Sequence, residues 1–167
     1  IILYGSFQLL PRAINRSGIY DAEKGFFYDR MLTPDGDEQV GVESIGGAVP
    51  LFSSAAVHGS LARGRPAIAR IFEREQEDPS ELVALGRVRG DGDETSVLVS
   101  VVDPEQLRRS LAVLFDEGTF LSPYGLRSLS KRYEENPYVV RVDGAEYTVD
   151  YEPAESTTPM YGGNSNW

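Results

Sequence analysis

The chain has 167 residues, 41% hydrophobic and 25% charged, enough for one domain with a real core. Its net charge of −10, from 26 acidic against 16 basic residues, speaks against a nucleic-acid backbone or an anionic membrane as partner. With no cysteine and one histidine, His58, it lacks disulfides, thiolate nucleophiles and most imidazole chemistry, so any hydrolysis falls to carboxylates.

Residues 1–17 place Ile2, Leu3, Phe7, Leu10 and Ile14 at helical spacing, and Ser17-Gly18 ends the run. From Gly25 the pattern turns β-prone through Phe26-Phe27-Tyr28-Asp29-Arg30-Met31-Leu32. Thr33-Pro34-Asp35-Gly36 then makes a turn, with Val40-Gly41-Val42 able to return as a partner strand. Residues 47–62 read as a second helix, Pro50 sitting in its first turn and Leu51, Phe52, Ala55 and Ala56 on one side. A third helix covers roughly 66–77 and buries Ile68, Ile71 and Phe72. Asp78-Pro79-Ser80-Glu81 and Asp103-Pro104-Glu105-Gln106 share a start signal. Each has an Asp cap, Pro at the first helical position, and Glu or Gln three residues after the cap.

The second of these signals opens a strong helix with Leu107, Leu111, Leu114 and Phe115 on one stripe and Gly118 at its end. Before it, residues 87–95 form a polar loop and 96–102 an apolar extended run. The clearest hairpin pairs Tyr138-Val139-Val140-Arg141-Val142 with Ala145-Glu146-Tyr147-Thr148-Val149-Asp150, because Asp143-Gly144 suits a type I′ turn. The elements are therefore mainly helices with two inserted hairpins, in one domain or one piece of a larger one. The opening inside an amphipathic run and the closing aromatic residue suggest an internal fragment, truncated at both ends. No apolar run approaches transmembrane length, and Ile1-Ile2-Leu3 lacks a signal peptide's basic leader. The absence of cysteine leaves the compartment open, the cytoplasm being favoured.

Several motifs carry no chemistry. His58 has no partner at metal-ligand spacing, and Ser128-Leu129-Ser130-Lys131 matches the S-x-x-K pattern without its supporting motifs. Asp91-Gly92-Asp93-Glu94 misses the EF-hand spacing, and Asn15-Arg16-Ser17 is a glycosylation sequon at a helix end. No phosphate-binding glycine loop and no metal or cofactor motif is present. Three clusters remain: residues 26–30, residues 122–130, and the tail from Tyr151 to Trp167, rich in Gly, Asn, Tyr and carboxylate. Aromatic planes beside carboxylates and amides suit a polyhydroxylated ring, the planes meeting its face and the polar groups its hydroxyls.

Taken in order, these segments resemble glycoside hydrolase family 63, the processing α-glucosidases and their bacterial relatives, including mannosylglycerate hydrolases. The residues that carry the resemblance are Gly25-Phe26-Phe27-Tyr28-Asp29, Pro50-Leu51-Phe52 and Phe120-Leu121-Ser122-Pro123-Tyr124-Gly125-Leu126-Arg127-Ser128-Leu129-Ser130. They continue with Tyr151-Glu152-Pro153-Ala154-Glu155-Ser156 and Gly162-Gly163-Asn164-Ser165-Asn166-Trp167. The resemblance spans about residues 15–167.

It implies part of an (α/α)6 toroid, a six-hairpin glycosidase catalytic domain with inserted β-hairpins, occupying 1–167. It also implies an inverting exo-acting α-glycosidase. Inversion sets a carboxylic acid and a carboxylate about 6.5–9.5 Å apart, with water between the base and the sugar. In relatives the Asp acid precedes this segment and the Glu base follows Trp167, so the chain is expected to hold no catalytic carboxylate and to be inactive alone. Its implied role is to wall the sugar pocket alongside the rest of the same polypeptide. Trp167 and Asn166 lead the implied substrate-binding set, followed by Tyr28, Asp29, Tyr124, Arg127 and Glu155. The carbohydrate substrate is an α-glucoside or related glycoside, with no nucleic acid or membrane as partner. One departure stands out: Glu43-Ser44 lies where relatives tend to carry Arg-Ser. The alternative is a non-catalytic carbohydrate-binding or structural segment of a degenerate homologue.

Overall fold

A computed structural model describes residues 13–33, 36–58, 60, 66, 83–89, 95–142 and 144–152. The chain divides into two compact units, Ile1–Gly18 with Pro50–Leu107, and Ile19–Val49 with Arg108–Trp167.

In the first unit, residues 13–16 are helical. The Ser17 N–H donates to the Ala13 carbonyl at 2.9 Å, and Gly18 leaves the helix at φ 69°, so the Ser17-Gly18 stop works as its sequence suggests. The unit is built on a three-stranded antiparallel sheet, β5 (Ser54–His58), β7 (Thr95–Ser100) and β6 (Val83–Arg89), in the order β5-β7-β6. The central strand is the apolar run expected to be extended. The other two correct the sequence reading. Residues 45–52 form a 3-10 helix rather than the start of an α-helix, and the chain then becomes strand, with His58 opposite Ser96. Residues 87–89, expected in a loop, belong to β6, and from Val83 on the chain is strand where Asp78-Pro79 announced a helix.

The 3-10 turn has a local cause and a tertiary one. Gly46-Gly47 weaken helical propensity, and Pro50 supplies no N–H at its centre. A Cβ on Gly47 would overlap the Phe26 ring and the Phe27 carbonyl, so this turn lies closer to the aromatic strand than any other residue type allows. Phe52, expected on the buried side, is 76% exposed.

The helix α1 (Pro104–Leu114) opens on the reciprocal cap that its sequence announces. Gln106 N–H donates to Asp103 Oδ1 at 2.7 Å, and Asp103 N–H donates to Gln106 Oε1 at 3.0 Å. Ser110 and Leu114 are its buried residues, whereas Phe115 is 59% exposed beyond its last turn.

The second unit consists of short antiparallel ribbons around aromatic packing. The ribbons are β1 (Tyr20–Asp21) with β2 (Phe26–Phe27), β3 (Asp29–Thr33) with β4 (Gly36–Val40), β8 (Leu121–Ser122) with β9 (Gly125–Leu126), and β10 (Tyr138–Val142) with β11 (Ala145–Val149). Phe26 and Phe120 are fully buried with ring centroids 5.5 Å apart, and Tyr28 meets Phe26 edge-on at 5.9 Å. The Ser110 hydroxyl donates to the Gly25 carbonyl at 3.1 Å and Arg109 Nη2 to the Glu23 carbonyl at 2.8 Å, fixing the later turns of α1 on the β1–β2 turn. A second cluster joins Val42, Leu129, Tyr133 and Val149. An antiparallel bridge between Ser44 and Leu129 unites the segments that feed both clusters.

The described residues thus form small antiparallel sheets with one long helix, and this overturns the expected toroid. A toroid needs paired long helices; residues 54–58 and 83–89 instead satisfy their main-chain groups on the same central strand. The (α/α)6 domain assigned to 1–167 and the six-hairpin description fall with it. Residues 67–77 of the expected third helix, the Asp91–Glu94 loop and most of the tail lie outside the described residues.

Packing at Gly47 and Phe120 should dominate stability. In the intact protein, Phe120→Ala is expected to cost about 3–5 kcal/mol by loss of burial and an unfilled cavity. Gly47→Ala is expected to cost about 1–3 kcal/mol by steric overlap. Urea unfolding measures both, and two neutral substitutions would contradict this core.

Candidate functional site

Within the second unit a cleft of about 890 Å³ opens between the exit of α1, the β8–β9 hairpin and a 3-10 turn at Lys131–Glu134. Its lining mixes charge and hydrogen-bonding groups: Glu117, Ser122, Arg127, Lys131, Arg132, Tyr133, Glu134, Glu135 and Asn136, with Leu121 and Pro123 as apolar surface.

The hairpin is shaped by its own side chains. Ser122 Oγ accepts from Tyr124 N–H at 3.1 Å and donates to the Gly125 carbonyl at 2.8 Å, while Gly125 takes φ 124°, a conformation glycine tolerates best. Tyr124 at its tip is 85% exposed. Behind the hairpin Arg127 is buried, its side chain acting as a staple. Nη1 donates to the carbonyls of Glu117 at 3.1 Å and Thr119 at 3.4 Å and to that of Leu121, and Nε donates to the Tyr151 hydroxyl at 3.1 Å. A buried guanidinium spent on main-chain carbonyls holds the cleft wall in shape.

A second polar group lies behind Arg132. Glu43 is buried, and its Oε1 accepts from Arg132 Nη1 at 3.0 Å and from the Tyr28 hydroxyl at 3.4 Å. Its main chain is fixed as well. Glu43 N–H donates to the Tyr133 hydroxyl at 2.6 Å, that hydroxyl donates to the Gly41 carbonyl at 3.1 Å, and Ser130 N–H donates to the Glu43 carbonyl at 3.0 Å. Glu43 Oε2 is buried and makes no hydrogen bond among the described residues. Burial is the main cause pushing both phenols up, with the Glu43 carboxylate adding to it: Tyr133 from 10.0 to about 12, and Tyr28 further in the same direction.

The site residues expected from sequence separate clearly. Arg127 lines the cleft, and Tyr124 caps the hairpin whose Ser122 and Pro123 line it. Tyr28 is instead a core residue, 4% exposed, with Lys24 Nζ 4.6 Å from its ring centre. Asp29 is exposed on β3 opposite Val40, outside the cleft lining. Glu155, Asn166 and Trp167 lie outside the described residues. Arg132 and Tyr133 are not among the sequence candidates, and Lys131 enters only as the last residue of the S-x-x-K match, because Lys131-Arg132-Tyr133-Glu134-Glu135 looks like an ordinary solvated run. Glu43 was noticed only as a departure. Among the described residues no group of three or more His, Asp or Glu could hold a metal ion, and no helix is long and apolar enough to cross a membrane.

Comparison with known proteins places a yeast relative beside this geometry, "Uncharacterized protein YMR196W" of Saccharomyces cerevisiae (strain ATCC 204508 / S288c). It is 33% identical over 160 residues, which cover 93% of this chain and 14% of that protein. The chain thus spans about a seventh of the relative's length. No family model and no solved structure matches.

The raised phenols give the fold a defined alkaline limit. Folding keeps Tyr28 and Tyr133 protonated, whereas unfolding returns them to their ordinary value of 10.0. Stability is therefore full below pH 10 and falls as pH rises towards 12. Tyr133→Phe is expected to be about 1–2 kcal/mol less stable at pH 8, through its lost hydrogen bonds, but to lose less between pH 10 and 12. Urea midpoints across that range test this; equal slopes for both proteins would contradict the role given to Tyr133.

Proposed function

We propose that this chain is a segment of an inverting exo-acting α-glycosidase of the glycoside hydrolase family 63 kind, and that the cleft at residues 117–136 is part of its sugar-binding wall. The supporting observation is where the family-like block falls. Residues 120–130 fold into a hairpin and a stapled wall around a polar cleft, with a tyrosine ring exposed at the hairpin tip. The reading rests on the motifs and the cleft; the toroid is not part of it.

The chemistry divides accordingly. An inverting displacement needs an acid to protonate the leaving oxygen and a base to activate water on the opposite face, with room for that water between base and sugar. Both carboxylates are assigned to the polypeptide outside this chain. This segment contributes orientation: it holds the sugar so that the anomeric carbon meets the water in line. Tyr124 offers an apolar ring face to the sugar, and the cleft's N–H and O–H groups address its hydroxyls.

The intact protein is expected to hydrolyse an aryl α-glucoside and to release the β-anomer first, which proton NMR detects directly. Tyr124→Ala should lower kcat/KM roughly 2- to 30-fold, the loss of a ring contact worth about 0.5–2 kcal/mol. Its melting temperature should barely move, since the ring is exposed. Binding of glucosides without turnover would point instead to a carbohydrate-binding segment of an inactive homologue. No binding and no turnover would end the carbohydrate reading.

A further inference from the structure

The geometry points to Arg132, positioned by Glu43, as the group that recognises ligand in the cleft, and to a neutral ligand that presents two adjacent hydroxyls to it. The choice of residue rests on geometry; the ligand class rests on the carbohydrate reading above.

Among the described residues three cations line the cleft, and they are not equivalent. Arg127 spends its Nη1 and Nε donors on main-chain carbonyls and the Tyr151 hydroxyl. Lys131 Nζ lies 3.9 Å from Glu134 Oε2 in a half-exposed pair one turn away on the same 3-10 segment. Arg132 differs from both. Its side chain is 60% exposed while that of its partner Glu43 is only 9% exposed, so a surface cation is tethered to a core anion. Nη1 makes that tether, and among the described residues Nε and Nη2 have no protein partner. A guanidinium is planar with its donors in a fixed fork. Pinning one nitrogen from the core therefore limits where the remaining donors can point.

Glu43 is a firm anchor because its own backbone is bonded on both sides, to the Tyr133 hydroxyl and to Ser130 N–H. A side chain held this way loses less freedom when ligand binds than a free surface arginine would. This accounts for a buried carboxylate beside a cleft whose lining does not include it. Glu43 is a positioning residue, acting through Arg132.

The charge balance selects the ligand. The Glu43 carboxylate offsets the guanidinium, and Glu117, Glu134 and Glu135 outnumber the remaining Arg127 and Lys131. An anion entering the cleft meets no surplus of positive charge. Hydroxyl oxygens need none, and two neighbouring ones can each accept from one of the Arg132 donors.

Calorimetric titration of the intact protein with methyl α-glucoside and, separately, with glucuronate tests the assignment. Arg132→Lys, a charge-conserving change at an exposed position, is expected to weaken methyl α-glucoside binding at least fivefold with the melting temperature unchanged. Glu43→Gln should weaken it by a similar factor, but by less than twofold once Arg132 is Lys. Should Glu43→Gln fail to fold, Arg132→Lys and Arg132→Gln decide the matter. Unchanged affinity in the Arg132 variants would overturn the inference, and tighter binding of glucuronate than of the glucoside would overturn the neutral ligand. Equal losses from Glu43→Gln in both backgrounds would remove its positioning role. If the parent protein hydrolyses α-glucosides while Arg132→Lys is neutral, only this inference fails. If the parent neither binds nor hydrolyses them, the carbohydrate reading fails with it.

Discussion

A buried carboxylate at Glu43 joins the parts of the second unit on which the cleft depends. Its side chain ties the aromatic strand at Tyr28 to Arg132 on the cleft wall, and its backbone links Tyr133 and Ser130 on the same wall. Stability alone explains this residue poorly. An ion pair taken out of water recovers its desolvation cost only with good geometry and full hydrogen bonding. Here one carboxylate oxygen is buried with no partner among the described residues, a penalty of about 1–3 kcal/mol. The arrangement makes more sense as the mounting of an exposed guanidinium than as glue for a core.

The rest of the unit keeps that mounting in place. Phe26 and Phe120 set the distance between the aromatic strand and the segment entering the β8–β9 hairpin. The absence of a side chain at Gly47 lets the 3-10 turn close over the Phe26 ring, a few residues after Glu43. Arg127 and Arg132 then divide the work of the wall, one holding its shape through carbonyls and the other presenting donors outward. Two arginines five residues apart thus have opposite fates, decided by burial rather than by residue type.

That difference also marks how far the sequence could be read. Local signals with a complete chemical code came through. Asp103 and Gln106 form the reciprocal cap their spacing announces, Ser17-Gly18 stops a helix, and Gly144 takes φ 77° in the hairpin joining Tyr138–Val142 to Ala145–Val149. Signals decided by distant partners did not. Leu51, Phe52, Ala55 and Ala56 have helical spacing, but residues 54–58 pair with a strand about forty residues away, and that ladder overrides local periodicity. The toroid failed for the same reason, since it extended a family's architecture over residues whose own pairing makes sheets. At the site, the 120–130 block led to the cleft, but Arg132 was hidden because nothing local links it to Glu43, 89 residues earlier. Tyr28, in the short link between β2 and β3, continues the buried run of Phe26 and Phe27, and Asp29 opens β3 on the solvent side, so neither lies in the cleft lining.

The most direct test of this account is a crystal structure of the intact protein with maltose bound. The account predicts a glucose unit in the cleft with two adjacent hydroxyls about 2.7–3.2 Å from Arg132 nitrogens, while Nη1 keeps its contact with Glu43. A sugar bound away from this cleft, or an Arg132 swung off Glu43 to reach it, would contradict the account.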